Sequence, residues 1–189
     1  MKKKIITIAG VPGSGKSSTA DGVAKELHFQ RFSSGDFMRQ IALDMGVSLN
    51  QLGKIAEVDA EIDQKIDEQV KRAGEQENIV VDSRLAFHWI PESFKVFLDL
   101  PLEISKDRIF SNLKSNKLRL ESEGKANLEE VYRKITARLE SERKRYKDLY
   151  GIEDHTDKKN FDLVVDTNKN DLKQVIEIVA KEYKKWIEN

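Results

Sequence analysis

Cysteine is missing altogether from the 189 residues, which excludes disulfides, thiol nucleophiles and cysteine-bearing metal sites in one step. Histidine is nearly as scarce: His28, His88 and His155 stand too far apart to form a metal pair by spacing. Net charge is also lacking, with 33 Lys and Arg against 33 Asp and Glu, so no global basic field exists to attract nucleic acid. The three prolines and ten glycines are spread without clustering, and neither a linker nor a second independent domain is expected. Long apolar runs are absent too. Met1-Lys2-Lys3-Lys4 is basic, but the run behind it, Ile5 to Ala9, ends where a glycine-rich loop begins. That is too short for a signal peptide, and no segment approaches the roughly 20 apolar residues of a membrane span. A soluble, cytoplasmic monomer is expected, with small-molecule partners and neither nucleic acid nor membrane among them.

What is present is concentrated in residues 10–17, which read GVPGSGKS, an uninterrupted fit to G-x-x-x-x-G-K-[ST]. Such a loop grips a nucleoside triphosphate. Its glycines let the backbone turn with N–H groups facing inward, a Lys supplies a point charge for the β- and γ-phosphates, and a Ser hydroxyl can ligate Mg²⁺. Here those parts are Gly10, Gly13 and Gly15, then Lys16, then Ser17, with Pro12, Ser14 and Ser18 completing the cradle. The β-rich run Ile5 to Ala9 precedes it, and Ala20, Val23, Ala24 and Leu27 follow at helical spacing, which is the strand, loop, helix setting the motif needs. The helix N-terminus adds its orphan N–H groups to the phosphate site. A dinucleotide loop fits poorly, because Ser18 stands where a third Gly or Ala belongs.

Further short apolar runs occur at 79–81, 94–100 and 161–165, with a weaker strand candidate at 29–32 and helical patterns between them. This alternation predicts an α/β protein of the three-layer P-loop type, a parallel sheet of about five strands flanked by helices. Leu172, Val175, Ile176, Val179, Tyr183, Trp186 and Ile187 form one apolar stripe, which predicts a last helix lying on the sheet, with Trp186 in the core. Two charge-rich stretches, 36–77 and about 106–150, are expected to be helical inserts in a single kinase-like domain spanning 1–189. In the second, Val131, Ile135, Leu139, Tyr146 and Leu149 mark a helical stripe.

Ile79-Val80-Val81-Asp82 reads as a buried strand ending in a carboxylate. Ligands collect at the carboxyl ends of such strands, so Asp82 is expected to hold Mg²⁺ beside Ser17. Arg39, Arg84, Arg138 and Arg145 are candidates for the forked donors that phosphoryl transfer requires. Arg138 and Arg145 lie seven residues apart with Glu142 between them. Two helical turns put both guanidinium groups on one face, either as a surface ladder of ion pairs or as a phosphate clamp.

Taken with residues 10–17, the segments Ser33-Ser34-Gly35-Asp36-Phe37-Met38-Arg39, Val81-Asp82-Ser83-Arg84-Leu85-Ala86 and Arg138 to Tyr146 occur in the order and approximate spacing of nucleoside monophosphate kinases. Over nearly its whole length the chain resembles the short, archaeal-type cytidylate kinases. The resemblance implies transfer of the γ-phosphate of ATP to CMP or dCMP, with Mg²⁺. It implies that Ser34, Asp36, Arg39 and Asp63 belong to the acceptor site and that Arg84 grips the acceptor phosphate, although Ser83 replaces the usual Gly. It further implies catalytic roles for Lys16, Arg84, Arg138 and Arg145, the last two from a lid. Bacterial cytidylate kinases carry a base-reading Asp where this chain has Leu85, so that readout is absent. An adenylate kinase-like enzyme is the first alternative, since 33–39 is close to its Ser-Thr-Gly-Asp-Met-Leu-Arg segment. The turn after Asp82 departs from that family's Asp-Gly-Phe-Pro-Arg. The second alternative is a P-loop ATPase driving a conformational or partner-binding cycle.

Overall fold

The computed structural model describes residues 2–115 and 127–188, apart from the side chains of residue 50 and of residues 112–115. Part of the expected second insert, 116–126, lies outside the described residues. Five strands, β1 (Ile5–Gly10), β2 (Gln30–Ser33), β3 (Ile79–Asp82), β4 (Phe94–Asp99) and β5 (Leu163–Asp166), pair in the order β2-β3-β1-β4-β5, all parallel. Every residue of β1 and β3 is buried. Central parallel strands are covered on both faces, which is why these runs read as continuously apolar rather than alternating. β2 is an edge strand with its first residue exposed, which accounts for its weak signal. β5 starts two residues later than the apolar run suggests. Asp162 precedes it and binds Lys95 twice, its backbone N–H donating to the Lys95 carbonyl and its carboxylate accepting from the Lys95 N–H, both at 2.8 Å. Phe161 turns away to pack against Phe87 and Phe97.

The helices are α1 (Lys16–Leu27), α2 (Ser34–Asp44), α3 (Leu49–Ala56), α4 (Ala60–Ala73), α5 (Ala86–Trp89), α6 (Leu102–Ser115), α7 (Leu128–Tyr150) and α8 (Leu172–Glu188). On one sheet face Ile6, Ile8, Val80, Val96 and Leu98 meet Ala20 and Val23 of α1 and Val175, Val179 and Tyr183 of α8. Gly22 permits that approach, since a Cβ there would stand 2.1 Å from the Ile176 Cδ1. Trp186 packs on Phe94 with ring centroids 5.5 Å apart, in the core as its stripe implies. On the other face Ile5, Ile79 and Val81 meet Val70 and Ala73 of α4 and Ala86 and Ile90. Truncating any one of the Ile or Leu side chains among these to Ala typically costs about 2–5 kcal/mol.

Helices α2 to α4 enclose a separate small core of Ala42, Leu52, Ala56, Ile62 and Ile66, so the acidic stretch 36–77 is a packed helical unit with a charged exterior. Capping fixes its element boundaries: Ser48 and Gln51 make a reciprocal capping box at the start of α3, and Asp59 accepts from the Glu61 N–H at the start of α4. In α7 Val131 and Ile135 pack against Leu102, Ile109 and Leu139, and Tyr146 is buried, whereas Leu149 is exposed. No helix among the described residues is long and apolar enough to cross a membrane.

Candidate active site

The carboxyl ends of β2 and β3 are level, Ser33 standing opposite Asp82, while β1 pairs Ile8 with Asp82 and runs two residues further to Gly10. The loop 10–15 leaves the end of β1 and delivers the chain into α1. Gly10 is obligatory on steric grounds, because a Cβ would come 2.5 Å from the Leu98 carbonyl oxygen. Gly13 and Gly15 take left-handed backbone angles, φ 76° and 87°, which other residues adopt only with strain. The Ser105 hydroxyl on α6 donates to the Pro12 carbonyl at 2.6 Å and braces the loop. Inside it, the buried Ser14 Oγ has no hydrogen-bond partner among the described residues. An orphaned hydroxyl within a ring of backbone N–H groups fits a phosphate oxygen.

Lys16 folds back over the loop, its Nζ donating to the Gly10 carbonyl at 2.8 Å and the Val11 carbonyl at 3.0 Å. Burial, reinforced by the Arg84 charge, lowers its amine to about 7. The Ser17 hydroxyl donates to Asp82 Oδ2 at 2.8 Å. Ser33 Oγ and Arg31 Nη2 approach the same oxygen at 3.4 Å. A hydroxyl and a carboxylate at this distance beside a phosphate cradle are the hard oxygen ligands Mg²⁺ takes, and its shell is ordinarily completed by phosphate oxygens and water. The residues present therefore fit the ion. Among the described residues no cluster of three or more His, Cys, Asp or Glu could hold a metal without the nucleotide.

The arginines divide among three carboxylates. Arg84 Nε stands 2.7 Å from Glu142 Oε2, and Arg138 Nε donates to Glu142 Oε1 at 2.8 Å. Burial pushes the Glu142 carboxyl up, but the two guanidinium groups outweigh it and hold the group at about 2. His155 Nε2 lies 3.9 Å from Glu142, yet burial keeps the imidazole down at about 4, so it is neutral near pH 7. Arg145 does not share Glu142. Its Nε donates to Asp63 Oδ2 at 2.8 Å across on α4, and its Nη1 donates to Ser141 Oγ at 3.1 Å. A solvated ladder along α7 is therefore not what forms: Glu142 and Asp63 are buried and Arg145 nearly so. Arg39 pairs instead with Asp36, which also receives Arg31 at 3.0 Å. Neither Asp36 nor Arg39 lines the cleft described next.

That cleft, small and open to solvent, lies between α2, the turn after β3, α4 and α7. Ser34, Asp63, Arg84 and Arg145 line it; the first three are expected at the acceptor site from the sequence, and Arg145 as an arginine of the lid. Glu142, Asp67 and Tyr146 line it as well and were not among the expected site residues. Glu142 was visible as the residue between two arginines. Asp67 carried no signal beyond the acidity of its stretch, and the Arg31 approach to Asp82 depends on the pairing of β2 with β3, which no motif encodes.

Residues 9–153 match the family described as AAA domain. A cytidylate kinase of Methanocella arvoryzae is 37% identical over 178 residues, 94% of this chain and 95% of that protein. A cytidylate kinase of Pyrococcus abyssi is 34% identical over 166 residues, 87% of this chain and 85% of that one. Among solved structures, a shikimate kinase from Acinetobacter baumannii superposes with a TM-score of 0.59 at 14% identity, covering 95% of this chain and 92% of its own. At that identity the likeness is one of fold.

Proposed function

The chain belongs to the cytidylate kinase family of P-loop kinases, and from that premise we propose that it transfers the γ-phosphate of ATP to CMP and dCMP. The observation that carries the reading is the convergence of Arg84 and Arg138 on one buried carboxylate, beside a Lys16 amine that burial and then the Arg84 charge depress. Cations are thus gathered where negative charge moves during phosphoryl transfer.

The acceptor is a phosphate monoester whose second pKa is about 6, so near pH 7 its oxygen attacks without help from a general base. A bond forms from that oxygen to the γ-phosphorus as the bridging bond to the β-phosphate breaks, and ADP leaves. Mg²⁺, when bound, neutralises phosphate charge and aligns the β- and γ-groups. Ser17 and Asp82 would hold it. Lys16 exchanges two backbone carbonyls for phosphate oxygens. Arg84 and Arg138 exchange Glu142 for phosphate, and Arg145 exchanges Asp63. Ser34 and Arg39 bind the acceptor nucleotide from α2, with Asp36 orienting Arg39. Residues 36–77 and about 106–150 act as the acceptor and lid units of one domain, and their closure excludes water that would otherwise hydrolyse ATP. A cytoplasmic monomer acting on free nucleotides completes the reading.

A coupled assay of ADP release across ribo- and deoxyribonucleoside monophosphates tests it, with CMP and dCMP expected as the best acceptors. AMP in first place would move the assignment to an adenylate kinase-like enzyme. ATP turnover that no monophosphate stimulates would point to an ATPase cycle. The metal role is tested separately by Asp82→Asn, which keeps the shape and removes the charge. The Mg²⁺ concentration for half-maximal rate should rise about 10- to 100-fold. An unchanged Mg²⁺ titration would leave Asp82 as an acceptor for Ser17 and nothing more.

A further inference from the structure

We propose that Asp67 reads the exocyclic amine of the acceptor base and that Tyr150, the last residue of α7, positions it; the inference rests on the reading of the chain as a cytosine nucleotide kinase. Three carboxylates face the cleft, Asp63, Asp67 and Glu142. Two are occupied by cations, Asp63 by Arg145 and Glu142 by Arg84 and Arg138. Asp67 is as buried as they are, 6% exposed, and makes no ion pair among the described residues. Its Oδ2 accepts the Tyr150 hydroxyl. The Trp89 indole lies near enough to help hold the charge, but among the described residues its Nε1 reaches hydrogen-bond geometry with no acceptor.

A buried carboxylate without a cation is costly unless N–H or O–H groups complete its shell. With Oδ2 taken by Tyr150, Oδ1 is the oxygen left for a donor arriving from the cleft. Cytosine brings an amino group at its fourth ring position. Uracil brings a carbonyl oxygen there, which would set lone pair against lone pair and leave Asp67 unsatisfied. Burial raises the Asp67 carboxyl, as befits a group still short of donors. Asp63 can take part in base recognition only after Arg145 has left it, whereas Asp67 is available from the outset.

Tyr150 is held for this task. Its ring stacks near Tyr146, centroids 6.4 Å apart and 29° between planes, and meets Trp89 edge-on at 5.2 Å and 82°. The hydroxyl thus reaches Asp67 from a ring whose plane is fixed by its neighbours. It also sits on the helix that carries Arg145, so one element serves both the phosphate and the base ends of the acceptor.

The test is base selectivity. In Asp67→Asn, kcat/KM for CMP is expected to fall about 100-fold or more while that for UMP changes less than about tenfold, collapsing the preference. ATP binding by calorimetry should be unchanged, which also reports that the variant is folded. Tyr150→Phe keeps the ring packing and removes only the hydroxyl. It should raise KM for CMP and narrow the CMP-to-UMP ratio roughly tenfold with kcat near the parent value, a result that a purely structural tie between α7 and α4 would not give. If Asp67→Asn does not fold, Tyr150→Phe decides alone. An unchanged ratio in variants that bind ATP normally overturns this inference and leaves the kinase reading standing. An unmodified chain that cannot phosphorylate CMP overturns both.

Discussion

Exchange of Lys16 for Ala is expected to lower phosphoryl transfer at least about a thousandfold while leaving the fold intact. Its ammonium hydrogen-bonds the two loop carbonyls, and the side chain belongs to none of the hydrophobic clusters among the described residues. Its charge belongs beside the β- and γ-phosphates, where cationic stabilisation in a water-excluded site has its largest effect. A proton signature accompanies the loss. The amine is depressed to about 7 in the free protein, and neighbouring phosphate anions favour its charged form. Above pH 7 ATP binding should therefore take up a proton, and affinity should weaken as pH rises from 7 toward 10. Calorimetry in buffers of different ionisation enthalpy measures that uptake directly. Uptake that persists in folded Lys16→Ala, or near-normal turnover by it, would remove Lys16 from the site.

Arg84→Ala should be damaging in two separable ways. Transfer is expected to slow about 10³-fold or more, the range found when an arginine that stabilises migrating phosphate is lost. Stability should fall too, because the buried Glu142 loses a partner at 2.7 Å, and breaking one side of a buried pair costs about 3–5 kcal/mol. The double variant Arg84→Met with Glu142→Gln removes both charges and should recover most of the melting temperature while remaining inactive. Recovery of activity along with stability would make Arg84 a structural residue. The pH dependence has a definite sign. Glu142 sits at about 2 against an ordinary 4.5, so the stability it contributes is complete above about pH 4.5 and is lost as pH falls through about 2.

The framework was legible because it is local. A β-rich run, a glycine loop and an amphipathic helix specify the phosphate cradle within two dozen residues, and the buried strands announce themselves through continuous apolar runs. β5 was misplaced by two residues because Phe161 is apolar yet turns toward Phe87 and Phe97, a tertiary preference that hydropathy does not encode. The cleft between α4 and α7 was only half legible. Arg84, Asp63, Ser34 and Arg145 belong to recognisable segments, but their partners are set by how α7 lies across α4. The seven-residue spacing put Arg138 and Arg145 on one helix face with Glu142 between them, and left a surface ladder or a phosphate clamp open. In the folded chain Arg145 crosses to Asp63, a contact 82 positions away. Asp67 and Tyr150, 83 positions apart, are likewise joined only by the fold.

The two carboxylates that hold the arginines, Glu142 and Asp63, act as tethered competitors. A group attached to the same fold presents itself at an effective concentration of about millimolar or higher, so an anion arriving from solution must outcompete it before any guanidinium group is released. A bare phosphate brings only its own charge to that contest. A nucleotide brings a base and a sugar as well, and binding at that remote end supplies the free energy for the exchange. On the proposed reading, the resting protein keeps its cations close to the reaction path without offering them to every anion in solution, and the molecule that unlocks them is the one that can also occupy the far end of the cleft.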